Sequence, residues 1–348
     1  MLPGPMCSWH LTGLGASVDR VESLYGGDMT RAVPPVVDGT GAFYGALNRG
    51  ARSIAVDLRH EGGRAALRAL IPHYDVLIEG FRPGILEAMG LDPETLFSLN
   101  NDLIVARISG FGQTGPWAQR AGHDINYVGI AGVPNLGPGV PVPPVQVADA
   151  AGGMVAAMRI CAALVGRDAA SGGQILDISL AEAALGVVSP HLTSLSHEGR
   201  DASAGGEFLT GGLPIYSIYQ CSDGKHLAVG ALEPKFQECL IEEFGGVDKE
   251  TLTAGFLTNS REYWVDHLDE ACVAPCLGAT EISEHPQHRF RDVVREMGGG
   301  TYVRPPGASS EWYDGTVPGL GEHTFEALKE AGVTDSVYAA WKNGGGVL

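Results

Sequence analysis

Basic residues are scarce in this chain of 348 residues. Lys and Arg number 23 against 41 Asp and Glu, which gives a formal net charge of −18. A chain this acidic does not condense on nucleic acid or on an anionic membrane surface. We therefore expect no nucleic acid partner. A polyanionic ligand would have to be bound by local Arg residues and backbone N–H groups.

Long apolar runs and targeting signals are also missing. No stretch approaches 18 uninterrupted apolar residues, so we expect no membrane span. The N-terminus lacks a basic region followed by an apolar run, which predicts a cytoplasmic protein without a signal peptide. The six cysteines are scattered, although Cys272 and Cys276 lie near His285 and His288. A metal site is one interpretation of that group, but separate reduced thiols are favoured, and no metal is predicted.

Several common catalytic motifs are absent. The sequence contains no G-x-x-x-x-G-K-[ST] run, no G-x-S-x-G elbow and no H-E-x-x-H helix. These absences argue against P-loop nucleotide hydrolysis, a serine hydrolase of the elbow type and a zinc protease.

What the first half contains is an alternation of apolar strands and helices. Strands are predicted at residues 53–58, 74–78, 103–108 and 174–178, and helices at 60–70, 84–89, 154–165 and 181–188. This order predicts an α/β fold in which helices cover both faces of a parallel sheet. A Gly- and Pro-rich loop at 129–144 interrupts the pattern, and a loop of that length is more often functional than idle.

The pattern changes after about residue 190. Residues 193–212 are polar and Gly-rich, as in a linker. Residues 214–220 and 225–229 flank Asp223-Gly224 and predict a hairpin. Further helices are predicted from Pro234, at 325–330 and at 336–342, with Thr334 or Asp335 as a cap for the last.

Two residues suited to acid/base chemistry stand beside glycines and ahead of apolar stretches. His123 lies in residues 122–127 (GHDINY), and Asp149 follows 26 positions later between two alanines. Histidine ordinarily titrates at about 6.5, which suits proton transfer near neutrality. A carboxyl among small apolar residues is expected to have a raised pKa. Each residue also has a structural interpretation, since a lone His is often structural and Asp149 could be a helix N-cap.

Three other charged residues have two interpretations each. Glu233 opens the helix at Pro234, where it could serve the helix dipole or orient an imidazole. Arg82, in residues 80–84 (GFRPG), follows a strand, and Arg52 precedes one. Because ligands of α/β sheets bind at the carboxyl ends of strands, either Arg could contact phosphate. Either could equally be a solvated surface charge.

Ten segments together resemble the 2-methylacyl-CoA racemase branch of the class III CoA-transferase family. They are residues 2–5 (LPGP), 48–58, 78–84, 109–116, 122–127, Asp149, 211–214, 231–236, 269–275 and 321–324. They run in order over nearly the whole chain. The resemblance implies an interlocked homodimer with a Rossmann-like large domain at 1–190 and a linker at 191–213. It also implies a smaller α+β domain at 214–297 and a segment at 298–348 that returns to the large domain.

The resemblance also implies roles for individual residues. His123 and Asp149 would be the two acid/base residues that invert the carbon next to a thioester carbonyl, and Glu233 would pair with His123. No cofactor is implied, because CoA is part of the acyl-CoA substrate. The residues expected to bind CoA are Arg52, Ala55, Val56, Asp57, Leu58, Gly80, Arg82, Gly122, Asp124, Ile125, Asn126 and Tyr127.

Racemisation is consistent with the chemistry of a thioester, and two other functions are also considered. A thioester α-proton is weakly acidic, so removing it needs a base and stabilisation of the enolate, followed by reprotonation from a second group. In the transferase branch an Asp forms an acyl-enzyme, and the nearest candidate is Asp124, although a His before that Asp favours racemisation. A CoA-binding paralogue without catalysis is the third interpretation.

The chain also departs from the family pattern. Ala51 and Thr210 replace a family Lys and Asp, and the segment from Phe244 to Cys272 is short. The family normally has a first strand ahead of residues 2–5; either this strand is missing or the true start of the chain lies upstream.

Overall fold

A computed structural model describes residues 2–167, 172–297, 300–308 and 315–348. The chain forms two compact units. The first comprises Met1–Ala131, Val145–Val187 and Asp292–Leu348, and the second comprises Gly132–Pro144 and Val188–Arg291. The predicted domain boundaries stay a prediction, and the predicted start of the returning segment, residue 298, lies outside the described residues.

In chain order, the strands are β1 (Asp19–Ser23), β2 (Val36–Val37), β3 (Thr40–Gly41), β4 (Arg52–Val56), β5 (Val76–Glu79), β6 (Ile104–Ser109), β7 (Gln174–Ser179), β8 (Tyr216–Gln220), β9 (His226–Gly230), β10 (Val273–Cys276), β11 (Val294–Met297) and β12 (Gly300–Val303). The helices are α1 (Pro3–Gly13), α2 (Ala42–Asn48), α3 (Glu61–Leu70), α4 (Ile85–Ala88), α5 (Pro93–Leu99), α6 (Asp124–Ile130), α7 (Val133–Leu136), α8 (Val147–Gly166), α9 (Leu180–Glu198), α10 (Pro234–Phe244), α11 (Lys249–Phe256), α12 (Arg261–His267), α13 (Ala279–Ile282), α14 (Pro286–Phe290), α15 (Thr324–Glu330) and α16 (Asp335–Asn343).

Parallel pairing is the main feature of the first unit. Strands β5, β6 and β7 form one parallel sheet in that order, and β1 pairs with β4 in a second parallel sheet. All six residues of β6 are buried, as expected of a central parallel strand that is covered on both faces. The predicted α/β class with parallel strands is confirmed.

The core of the first unit lies beside these strands. One apolar cluster joins β4 to α3 and α15 through Ile54, Leu70 and Leu328. Another joins β6 to the short helices α4 and α5 through Val105, Leu86 and Leu96. The free edge of β4 is covered by the last residues of the chain, because Val56 pairs antiparallel with Val347.

The second unit is built on an antiparallel sheet with strand order β10-β9-β8. The predicted hairpin is β8–β9, and Gly224 takes a φ of +76° in its turn. Trp264 and Phe256 are buried in the apolar cluster beneath this sheet. The Trp264 Nε1 donates to the Phe256 carbonyl at 2.9 Å, so the large indole is packed without an unpaired donor.

Two connections differ from the sequence prediction. Helix α9 continues to Glu198, so the first residues of the predicted linker are helical. The polar side chains there point to solvent, and the helix ends only where Gly199 takes a φ of +64°. The loop at 129–144 contains the helical turn α7, and its residues from Gly132 onward pack with the second unit.

Helix α8 is the element that carries Asp149. Its length and apolar composition would suffice to cross a membrane, and 39% of that stretch is buried within the protein. It packs on α1 and on strands β6 and β7, with Gly153 so close to Met6 that a side chain would clash. The predicted absence of a membrane span and the cytoplasmic location stay predictions.

Candidate active site at the starts of two helices

His123 is held at the start of α6 by its neighbours. Its backbone N–H donates to the Asn126 side-chain oxygen at 3.0 Å, which satisfies a donor that the helix leaves unpaired. The Tyr127 hydroxyl donates to the Gly122 carbonyl at 2.6 Å and fixes the turn before the helix. The imidazole itself is exposed. The main chain around His123 is therefore ordered, and its ring remains open to a ligand.

Glycines allow the Tyr127 ring to lie under this turn. A Cβ on Gly110 would stand 2.4 Å from the ring, and one on Gly122 would stand 2.7 Å from it. Real Cβ atoms do not approach other atoms this closely, so neither position admits a side chain while the ring stays in place. Phe111 packs edge-on against the same ring, with centroids 5.1 Å apart. The Tyr127 ring thus packs between the end of β6 and the turn that carries His123.

Asp149 lies in the first turn of α8, so it is not the N-cap. Its backbone N–H donates to Asp124 Oδ1 at 2.9 Å, and Asp124 thereby caps a helix other than its own. Since Asp124 follows His123 directly, this bond ties the starts of α6 and α8 together. The structure brings His123, Asp124 and Asp149 into one site.

Two effects raise the pKa of Asp149 to about 6. Burial contributes most, and the nearby Asp124 carboxylate adds repulsion, while His123 acts in the opposite direction. A carboxyl with this pKa populates both its protonated and ionised forms near neutral pH. It can therefore give or take a proton beside an exposed imidazole.

The loop at 80–84 lies near this site. Burial raises the pKa of Tyr127, the Asp149 carboxylate adds to the rise, and the Arg82 charge opposes it. Arg82 is exposed and therefore open to an anionic ligand. Gly80, Ile125 and Asn126 lie in the same pair of segments, so these predicted CoA contacts are grouped with His123 and Asp149.

Arg52 has structural partners. Its guanidinium binds Asp19 at 2.7 and 2.8 Å and Glu330 at 2.7 Å. These partners raise its pKa, the Asp19 bond most strongly. A phosphate would have to compete with both carboxylates, so the structure favours a structural role for this residue.

Residues 55–58, which are also predicted to contact CoA, already make contacts within the protein. Ala55 and Val56 are buried in β4, and the Ala55 N–H donates to Thr324 Oγ1 at 3.0 Å. The Asp57 N–H donates to the Gly346 carbonyl at 2.9 Å, and its carboxylate binds Arg59. Leu58 packs at the edge of the apolar clusters. Contact of residues 55–58 with CoA stays a prediction, and Ala55 and Val56 could not make it with their side chains.

Glu233 belongs to the second unit. It is the residue before α10, and its side chain is exposed. Its pairing with His123 stays a prediction. Among the residues that the structure describes, no group of three His, Cys, Asp or Glu is arranged to hold a metal ion.

One part of the site was not predicted. Arg107 in β6 binds Glu79 at the end of β5 and Glu87 in α4, and so brackets the loop that carries Arg82. The signal was present in the sequence, because a single Arg stands inside the apolar run LIVARI, where a buried charge needs a partner. The identity of that partner depends on strand register, which the sequence did not fix.

The comparisons with known proteins identify the family of the chain. The sequence profile of "CoA-transferase family III" matches residues 1–324. The chain belongs to CoA-transferase family III. It is 34% identical to the alpha-methylacyl-CoA racemase of Mus musculus, over 95% of this chain and 90% of the racemase. It is 40% identical to the succinate–glutarate CoA-transferase of Agrobacterium fabrum, over 51% of this chain and 48% of the transferase.

A solved structure has the same fold. The crystal structure of a CAIB/BAIF family protein from Brucella suis superposes with a TM-score of 0.82 at 29% identity, over 95% of this chain and 96% of that one. The predicted family membership is confirmed. The relatives that span nearly the whole chain also confirm the prediction of an enzyme of this kind.

Proposed function

We propose that this member of CoA-transferase family III racemises or epimerises 2-methylacyl-CoA or related α-branched acyl-CoA thioesters. The observation that carries the proposal is the shared site of His123 and Asp149, in which the carboxyl has a pKa of about 6. The similarity to a racemase over nearly the whole chain supports the same reaction.

The proposed mechanism moves one proton off C2 and another onto it. One of His123 and Asp149, in its basic form, takes the α-proton, and the C2–H electron pair passes into the thioester as an enolate. The other residue, in its acidic form, then donates a proton to the opposite face of C2. The two residues exchange protonation states during the reaction, which works best when neither form is strongly disfavoured near neutrality.

Asp124 and Tyr127 support this pair without touching C2 in the proposal. Asp124 holds the Asp149 backbone and adds negative charge beside it, which keeps that carboxyl partly protonated. Tyr127 holds the turn that presents His123. Arg82 is the proposed contact for an anionic group of CoA, and Glu233 is proposed to pair with His123.

The test is incubation of one epimer of a 2-methylacyl-CoA in deuterated water without an acceptor acid. The proposal predicts deuterium at C2 together with mixing of the epimers, and loss of the mixing in His123→Ala and Asp149→Ala. Glu233→Gln is expected to slow the same exchange.

Transfer of CoA between acids is the second candidate, because the Agrobacterium relative is a transferase. That reaction requires an acceptor acid and, with Asp124 as nucleophile, an acyl-enzyme that can be trapped on this residue. Its carboxylate already accepts the Asp149 N–H, which leaves one oxygen without that bond. No exchange in deuterated water together with an acyl group on Asp124 would favour the transferase. A protein that binds CoA and does neither would be a paralogue without catalysis.

We further propose that the chain acts as a homodimer. An apolar groove of about 450 Å³ lies between α8, β7 and the start of α9, lined by Val155, Ile178 and Val187 among others. Met158 and Val165 on α8 are 64% and 88% exposed, and a long helix that exposes such residues favours a covering partner. Analytical ultracentrifugation is expected to give a dimer, and Met158→Glu is expected to shift it toward monomer. A wild-type monomer at micromolar concentration would exclude the dimer.

A further inference from the structure

Arg107 is a buried cation inside an otherwise apolar strand. Its side chain is 7% exposed, and that of Glu79 is 3% exposed. The two residues are register partners in β5 and β6, with Arg107 Nε donating to Glu79 Oε1 at 2.7 Å. Burying an ion pair costs free energy that well-packed apolar residues would avoid, so stability alone is a weak reason for the pair.

The same guanidinium reaches past the strand end. Its two terminal nitrogens donate to Glu87 at 2.7 and 3.2 Å, so every guanidinium nitrogen is used. The second Glu79 oxygen accepts the Phe81 N–H at 2.7 Å. Glu79 and Glu87 stand on either side of the loop at 80–84 in sequence. Arg107 thus fixes both ends of that loop to the carboxyl end of β6.

The loop presents one cation. Arg82 is exposed, and no carboxylate pairs with it within the described residues. Its charge opposes the rise in the pKa of Tyr127, whose ring packs under the turn that carries His123. The nearby Gln119 side chain donates to the Pro83 carbonyl at 3.0 Å, which adds a second restraint on the loop. Glu79, Arg82 and Glu87 therefore lie in one short segment, and Arg107 binds both of its ends.

We propose that the Glu79–Arg107–Glu87 clamp is a positioning device that holds Arg82 in place for an anionic group of the CoA thioester. This inference rests on the proposed function, because it takes a CoA thioester as the ligand. An ordered cation binds an anion with less loss of side-chain freedom than a mobile one, so the clamp should lower KM and leave kcat nearly unchanged. Arg107, Glu79 and Glu87 are not expected to touch the reacting atoms.

Glu87→Gln is the variant that tests the clamp, because the Glu87 side chain is 37% exposed and its loss leaves the buried Glu79–Arg107 pair intact. Arg82→Gln removes the cation itself. We expect Arg82→Gln to weaken CoA binding about tenfold, as for a contact of about 1.4 kcal/mol, and Glu87→Gln to weaken it about threefold. The double variant should bind no worse than Arg82→Gln alone, since the clamp acts only through this cation.

The dissociation constant of CoA is measured by calorimetry for the wild-type protein and for these three variants. KM, kcat and the melting temperature are measured for the same proteins. Glu281→Gln is the matched control, because it breaks an Arg–carboxylate pair with Arg261 in the second unit. The control should leave CoA affinity unchanged. For Glu87→Gln, KM should rise with kcat within about twofold of wild type.

Three results would overturn the inference. They are unchanged CoA affinity in Glu87→Gln, a fall in kcat without a rise in KM, and additive losses in the double variant. The comparison of CoA affinity among wild type, the two single variants and the double variant does not depend on catalysis. A wild-type protein that binds CoA but exchanges no α-proton would refute the proposed racemisation, and this comparison would still test the clamp. A wild-type protein that does not bind CoA would refute both.

Discussion

Replacing Asp149 by Asn should make the folded protein more stable while removing its activity. Burial and the Asp124 charge raise the Asp149 pKa from its ordinary 3.8 to about 6. At about 1.36 kcal/mol for each tenfold change in the acid constant, ionised Asp149 costs the folded state about 3 kcal/mol. Solvent at this half-buried carboxyl lowers the expected gain to about 2 kcal/mol. Asn has the same shape and avoids the charge.

The sign of the effect gives a pH dependence. A carboxyl whose pKa is raised by folding contributes its stability below the unfolded value of 3.8, and that contribution is lost as the pH rises through about 6. The advantage of Asp149→Asn should therefore be largest at pH 7.5 and fall to about 1 kcal/mol at pH 4.5. Urea unfolding followed by circular dichroism at both pH values measures it.

Asp92→Asn is the control for this measurement. Asp92 accepts the Thr95 N–H at the start of α5, and its pKa is lowered by that bond and by the Thr95 hydroxyl. Its replacement should lose stability at pH 7.5, opposite to Asp149→Asn. The reasoning would be refuted if Asp149→Asn were no more stable than wild type at pH 7.5, or if its advantage were the same at both pH values.

Three other substitutions test single parts of the site. Asp124→Asn keeps an acceptor for the Asp149 N–H but removes the repulsion that raises the Asp149 pKa, so the acid limb of the exchange rate should move to lower pH. Gly110→Ala places a Cβ 2.4 Å from the Tyr127 ring, so it should cost about 1–3 kcal/mol of stability and slow exchange about tenfold or more. Arg52→Gln breaks two ion pairs and should lower the melting temperature, with CoA affinity within about twofold of wild type.

Each of these has an outcome that would contradict it. Complete loss of activity in Asp124→Asn, with an acyl group trapped on the wild-type residue, would favour the transferase. Gly129→Ala is the control for Gly110→Ala, because a Cβ on Gly129 has nothing within 4 Å. Equal effects of the two substitutions would mean that the packing of Tyr127 does not influence the exchange. A tenfold loss of CoA affinity in Arg52→Gln at an unchanged melting temperature would indicate that Arg52 contacts CoA.

The strands could be predicted from the sequence, and His123 and Asp149 could be proposed from it as acid/base residues, because both signals are local. The runs LIVARI and YDVLI show their strands by composition alone, and the structure places β6 and β5 there within two residues. Asp149 stands out because alanines and glycines surround it, and His123 stands out because it follows Gly122 at the start of an apolar stretch. The expected burial of Asp149 depends only on those neighbours, and the structure agrees with it.

Contacts that depend on register could not be predicted in the same way. The partner of Arg107 follows from the pairing of β5 with β6, and the partners of Arg52 follow from β1 and α15. The start of α8 at Val147 was missed because Asp149 and the glycines after it are poor helix formers. Tertiary contacts on α1 and the Asp124 cap offset that weakness.

The central claim is that His123 and Asp149 act on opposite faces of C2, and single-base variants test it most directly. Each C2 epimer of a 2-methylacyl-CoA is incubated in deuterated water with His123→Asn or Asp149→Asn, and deuterium at C2 and configuration are followed together. The account predicts that neither variant inverts configuration, and that each exchanges the α-proton of one epimer only, a different one for each variant. Inversion that survives in either variant, or exchange of the same epimer by both, would contradict it.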